Sequence, residues 1–350
     1  MSSSSLKDAL YRLLELEPEL SGVVAAVSWP GGDADAAVGL DAASTRLDSD
    51  RPWALYCAAK PLLALAIARL VSSGACGFDT PLADLVPAMT VAQPQVTLRQ
   101  LMCHQAGFNR PGAFDCARHS RPWERSRCLA PRRSASVTRG VAATAYSEAV
   151  MPYLLGEAIE MIAGVNWWSY VLQTLQLVGA SGPFWHGTWA PEFGRLTVAR
   201  TVGLDVGRVP LLVEQSPELI CAPNPSYSVY GTPRALADLY KQIGKGCGSS
   251  IRDDVLKEML LEHTRGHDAT LGRDCSFALG FMVNLAGHCF GDGLSPESFG
   301  HSGFHGATWA GHDPSLGVSF AVATAGVARP ETALTSWRPT IMSNVLEAAI

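Results

Sequence analysis

Pro52-Trp-Ala-Leu-Tyr-Cys57-Ala-Ala-Lys60-Pro-Leu-Leu-Ala64 places a cysteine and a lysine three residues apart at the head of a long apolar run. Residues at that spacing share one face of a helix. A thiol at a helix N-terminus also meets the positive end of the macrodipole, which lowers its pKa. Cys57 is therefore a candidate nucleophile. The same pattern describes a plain core helix equally well, because cysteine is among the most often buried residues and lysine is a good helix former. What separates the two readings is the rest of the chain.

Working outward, Ala58 to Ser73 is apolar on nearly every side, which predicts a helix buried all round and stopped by Gly74. Upstream, Leu6, Ala9, Leu10, Leu13 and Leu14 form one stripe of an amphipathic helix over residues 6–20. Two strands follow, over 21–28 and 36–40, joined by a turn at Pro30-Gly31-Gly32. Downstream, Thr97 caps a short helix ended by Gly107, and helices are expected over 150–162, from Trp167 to about Leu177, and over 234–243 and 253–263. Strand character returns at 277–285, 302–311 and 317–325, with a closing helix over 336–349. Helix and hairpin at one end, strands and helix at the other, predict an α/β (α+β) fold: an antiparallel sheet built from both termini, with a mainly helical region inserted. The expected division is residues 1–53 and 270–350 for the sheet domain and 54–269 for the helical region.

The 350 residues are 47% hydrophobic and 17% charged, the balance of a globular protein with a large core. A net charge of −5 gives no overall bias toward nucleic acid or anionic membrane. Nine cysteines without paired spacing read as reduced thiols. Cys103-His104, Cys116, His119 and Cys128 lack a CxxC anchor, so no metal and no cofactor is expected. Met1 to Leu20 is too charged for a signal peptide, and no spanning helix is predicted, so the expected location is cytoplasmic. Residues 110–140 hold eight arginines against Asp115 and Glu124. This basic loop reads either as a solvated lid or as a surface for an anionic substrate group or an acidic carrier protein, since arginine offers a fork to carboxylate and phosphate.

In their order along the chain, these segments resemble the serine β-lactamase-like superfamily, particularly its class C β-lactamase, carboxylesterase and transacylase branch. The family's Ser-x-x-Lys corresponds to Cys57-Ala-Ala-Lys60, its Tyr-x-Asn to Tyr146-Ser147-Glu148, and its His-x-Gly to His301-Ser302-Gly303. The flanking phrases Gly77-Phe-Asp-Thr-Pro81, Leu101-Met-Cys-His-Gln-Ala-Gly107 and Asp313-Pro314 fit as well. The resemblance implies a β-lactamase/transpeptidase-like fold. It also implies an acylated residue 57 whose proton is exchanged by Lys60 and Tyr146, an oxyanion hole from the backbone N–H groups of Cys57 and Phe304, and His301 lining the site. Gly303, Glu148 and Trp309 are expected at the substrate, and Trp189, Trp309 and Phe304 to shape an acyl or aromatic pocket, with plain core packing as the alternative for these aromatic residues.

Two positions depart from the family pattern. Sulfur at 57 is intrinsically more nucleophilic than a hydroxyl, and amines attack a thioester readily relative to water, so Cys57 favours acyl transfer to an amine. Glu148 in place of asparagine would stabilise a Lys60 cation or take a proton from an attacking amine; its alternative is a solvent-facing residue. The expected activity is transacylation from an ester, thioester or carrier-bound acyl donor to an amine, in natural-product or antibiotic assembly. An esterase or amidase of the same fold, or a catalytically silent binding protein, are the alternatives.

Overall fold

The computed structural model of the protein describes residues 3–16, 20–41, 44–86, 95–107, 144–147, 150–180, 182–187, 225, 228–303, 306–325 and 342–343. The Arg-rich segment 110–140, Glu148, Trp189, Phe304 and most of the helix expected over 336–349 lie outside the described residues.

Helix α1 (Ser3–Leu16) buries Leu6, Ala9, Leu10 and Leu13, the stripe read from the sequence. Strands β1 (Gly22–Trp29) and β2 (Gly32–Gly39) form the expected hairpin. β1 is buried along nearly its whole length. Val23, Ala25 and Val27 pack with the leucines of α1, whereas Ala26 belongs to the helical core on the other side. A strand covered on both faces loses polar alternation, which is why Gly22-Val-Val-Ala-Ala-Val27 is continuously apolar.

The polypeptide next reaches a two-residue strand, β3 (Trp53–Ala54), and then helix α2 (Lys60–Ser72), entered through a 3-10 turn over Tyr56–Ala59. Short helices α3 (Leu82–Leu85) and α4 (Leu98–Met102) follow, then α5 (Val150–Ala163) and α6 (Trp167–Leu177). Strands β4 (Phe184–His186) and β5 (Val229–Gly231) join β3 in a small antiparallel sheet, in the order β3-β5-β4. Helices α7 (Pro233–Gly244) and α8 (Asp253–Leu260) complete the helical part. α2 is buried at every position from Lys60 to Ala68 and packs against α5, α6 and α8. The all-round apolar run is thus the central post of the helical region.

The remaining strands are β6 (Thr264–Asp268), β7 (Arg273–Phe277), β8 (Met282–Val283), β9 (Phe299–Gly303), β10 (Thr308–Asp313) and β11 (Val318–Ala325). With β1 and β2 they make one eight-stranded antiparallel sheet, β2-β1-β11-β10-β9-β8-β7-β6. β1 lies between β2 and β11, so the two ends of the chain meet inside the sheet, with Val24 opposite Ala323. α7 packs on the face of β1, β10 and β11 opposite α1.

Several expected boundaries move. The strand expected over 277–285 is a turn, because β7 ends at Phe277 and Gly280, at φ +83°, reverses the chain into β8. The single strand expected over 302–311 is the meeting of β9 and β10, paired Gly303 to Thr308. α4 ends at Met102, where His104 at φ +62° makes the first left-handed step that the sequence reading gave to Gly107. β6 lies ahead of residue 270 yet belongs to the main sheet.

Candidate active site

The approach to Cys57 is fixed on two sides. β3 pairs with β5, and the Leu55 N–H continues that ladder to the Val229 carbonyl at 3.0 Å. From the main sheet, the Thr308 hydroxyl donates to the Ala54 carbonyl at 3.0 Å. Tyr56 then turns the chain at φ +48°, a left-handed conformation disfavoured for a bulky side chain. The 3-10 turn it opens carries Cys57, and Pro61 starts α2 where a missing N–H costs nothing. In a 3-10 turn residues i and i+3 eclipse, so Lys60 stands in line with Cys57, its N–H bonded to the Cys57 carbonyl.

Gly303 explains how β9 can lie against this turn. A Cβ there would strike the Leu55 carbonyl oxygen and would come within 2.9 Å of the Tyr56 Cβ and 3.2 Å of the Ala58 nitrogen. Only a residue without a side chain permits the approach. The glycine of His301-Ser302-Gly303 is therefore required by packing at the nucleophile turn.

Lys60 is 1% exposed, and its Nζ donates to the Tyr146 hydroxyl at 2.8 Å. The segment bearing Tyr146 has no regular secondary structure, yet each of three successive N–H groups is bonded. Ala145 N–H donates to the His104 carbonyl at 2.9 Å, Tyr146 N–H to Asp268 Oδ2 at 2.8 Å, and Ser147 N–H to His104 Nδ1 at 3.1 Å. The Ser147 hydroxyl accepts from the Met151 N–H in the first turn of α5. Because His104 Nδ1 is an acceptor, its ring proton sits on Nε2. Its pKa lies well below the ordinary value, through burial first and the nearby Lys60 charge second.

His301 is fully buried on β9, with its ring 6.0 Å from that of Tyr146, centroid to centroid. Nδ1 lies 2.8 Å from the Ser302 carbonyl oxygen, which can only accept, so Nδ1 carries the proton. Nε2 is left as a bare acceptor, buried and without a hydrogen-bond partner among the described residues. Burial, and then Lys60, hold this imidazole neutral by pushing its pKa well below the ordinary value.

Cys57, Lys60, Tyr146, His301 and Gly303 are thus brought together. Trp309 is not an open binding surface: it is 0% exposed and packs in the same apolar cluster as Cys57 and Tyr146. Burial pushes Cys76, Cys103 and Cys275 up to about 11 and Cys247 to about 12, the behaviour of inert packing thiols. Asp268 escaped the sequence reading. Its only signal was Asp268-Ala-Thr-Leu-Gly272, a turn whose long-range bond leaves no trace in local pattern.

A sheet closed by both chain ends, a buried helix that opens on a nucleophile-type side chain, and a lysine–tyrosine pair beside it define the β-lactamase/transpeptidase-like class. The chain belongs to the Beta-lactamase family, whose model matches residues 12–338. No curated protein matches it significantly in sequence. Among solved structures, it is similar to a penicillin-binding protein homologue from Caulobacter crescentus (TM-score 0.81, 23% identity, 99% of this chain and 97% of that one). It is likewise similar to a family VIII carboxylesterase (TM-score 0.81, 20% identity, 99% and 97%). A third is EstCE1, described as a hydrolase with promiscuous acyltransferase activity (TM-score 0.79, 16% identity, 98% and 99%). Among the described residues, no helix is long and apolar enough to cross a membrane.

Proposed function

We propose that the protein is an acyltransferase that carries its acyl group as a thioester on Cys57 and passes it to an amine. The observation that carries this reading is the buried 2.8 Å hydrogen bond between Lys60 and Tyr146 beside the strained turn bearing the thiol. In the first step Cys57 Sγ attacks the donor carbonyl carbon while its proton passes to the Lys60–Tyr146 pair, which enters the step one proton short, as ammonium with phenolate or as amine with hydroxyl. Collapse of the tetrahedral adduct expels the donor's alcohol or thiol, which takes that proton back. In the second step an amine nitrogen attacks the thioester carbonyl, gives up a proton to the same pair, and the C–S bond breaks as sulfur is reprotonated. Cys57 N–H, among the first N–H groups of a helical start and so without an intrahelical acceptor, would serve the oxyanion together with the N–H of residue 304.

Sulfur is what favours transfer over hydrolysis, and the similarity in fold to EstCE1, itself a hydrolase with promiscuous acyltransferase activity, is consistent with that reading. Esters, thioesters or carrier-bound acyl groups would be donors, with the Arg-rich 110–140 segment as the contact for an acidic carrier.

The test is intact-mass analysis after incubation with activated esters and thioesters, wild type beside Cys57→Ala, with and without an added amine. The expected result is an acyl adduct that Cys57→Ala abolishes and that the amine clears faster than water does. Clearance by water alone at the same rate would make the protein a hydrolase. An adduct undiminished in Cys57→Ala would remove the nucleophile. Cys57→Ser is expected to shift the balance from transfer toward hydrolysis.

A further inference from the structure

Asp268 closes the turn between β6 and β7, and its carboxylate is completely buried although Ala269 and Thr270 beside it are exposed. Oδ1 accepts from the N–H groups of Thr270 and Leu271 at 2.9 and 2.8 Å. That is an Asx-type turn, which one side-chain oxygen satisfies. The second oxygen is not needed for the turn. It accepts the N–H of Tyr146, 122 positions earlier in the chain, at 2.8 Å. The contact is doubled by the Ala269 N–H, which donates to the Thr144 carbonyl at 3.0 Å.

The Tyr146 backbone is therefore clamped between two elements distant in sequence. His104 holds residues 145 and 147 from one side, and the β6–β7 turn holds 144 and 146 from the other. Without these bonds the segment has no helix or strand ladder to fix it, and the hydroxyl must meet Lys60 Nζ at 2.8 Å. A side chain whose other oxygen is already fixed by the turn offers Oδ2 as a rigid acceptor, which suits that task.

We infer that Asp268 is a positioning residue for acyl transfer: through Oδ2 it sets the Tyr146 backbone so that the hydroxyl stays on Lys60. The inference rests on the proposed role of Tyr146 as a proton carrier and extends the site to a hairpin that the family motifs do not include.

The experiment is a double-mutant cycle on acylation by a p-nitrophenyl ester. Asp268→Ser keeps an oxygen for the Thr270 and Leu271 N–H groups but cannot reach Tyr146. Asp268→Asn keeps the shape and must turn its NH2 toward one set of N–H donors. Each is expected to lower the acylation rate roughly ten- to a hundredfold with KM unchanged, the scale set by a small misplacement of a reacting group. On a Tyr146→Phe background the same substitutions are expected to change the residual rate less than about twofold, because there is no hydroxyl left to position. Thermal unfolding identifies any variant that fails to fold, and the other aspartate variant then carries the test. Equal losses in both backgrounds, or no loss with Tyr146 intact, would overturn the positioning role while leaving Tyr146 as proton carrier. Full acylation by Tyr146→Phe alone would overturn the role of Tyr146, and this inference with it.

Discussion

At the scale of single residues, the site depends on how closely β9 approaches the turn that carries Cys57. Gly303→Ala would place a methyl group against the Leu55 carbonyl, 2.9 Å from the Tyr56 Cβ, where backbone must yield. Overpacking of this kind costs roughly 1–3 kcal/mol, and the displaced element is the one that aims the Cys57 N–H. The expected outcome is a lower denaturation midpoint together with loss of acylation; wild-type acylation in a folded Gly303→Ala would refute the packing argument. The residues of this site differ in how readable they were. Cys57 and Lys60 are near neighbours in a helical start, so spacing exposes them. Tyr146 and His301 emerge only from motif order, and Gly303 from its place beside His301. Asp268 is invisible in sequence because its decisive bond crosses 122 positions. The tautomers of His104 and His301 likewise follow only from their neighbours' hydrogen bonds.

Among the elements, α4 shows how local chemistry serves the site at a distance. The Thr97 hydroxyl accepts from the Gln100 N–H while the Gln100 side chain accepts from the Thr97 N–H, a complete capping box. The helix it secures leads through Cys103 into His104, which holds both sides of Tyr146. Thr97→Ala is expected to cost about 1 kcal/mol, read in urea unfolding. Since the rest of the clamp remains, its acylation rate at 25 °C should stay near wild type; a collapse in rate with unchanged stability would contradict that. Helices with apolar periodicity were legible to within a few residues: α2, α5, α6 and α7 lie close to the ranges expected over 58–73, 150–162, 167–177 and 234–243. The small sheet was not legible. β3, β4 and β5 are two or three residues long, below the length at which alternation can be seen. β6, Thr264-Arg-Gly-His-Asp268, is polar because it is the last strand of the sheet, and its pairing with β7 supplies what its composition does not. α2 offers the opposite case: Leu65, fully buried at its centre, should cost about 2–5 kcal/mol on truncation to alanine.

For the molecule as a whole, closing the sheet around β1 and β11 buries several imidazoles with the site, and this makes stability depend on pH. His104 and His301 are buried beside Lys60, whose charge adds to burial in keeping them neutral; His312 is held low by burial, which outweighs the opposing pull of Asp313. For each the folded pKa lies below the unfolded one. Above about pH 6.5 both states are neutral and the native contacts are fully favourable. As pH falls through that value the unfolded chain takes up protons that the native state refuses, so stability drops and keeps dropping until the folded pKa is reached. Each such imidazole contributes up to about 1.4 kcal/mol per pH unit in that window. Carboxylates act in a separate range: Asp79, held low by its hydrogen bond to Arg99, loses its contribution only below about pH 4. Urea unfolding between pH 7.5 and 5 is therefore expected to show falling stability for the wild type and a shallower fall for His301→Asn, which removes one titrating group. Parallel profiles for the two proteins would mean that His301 gains its proton as readily in the fold as out of it, and that the site is wetter than its burial implies.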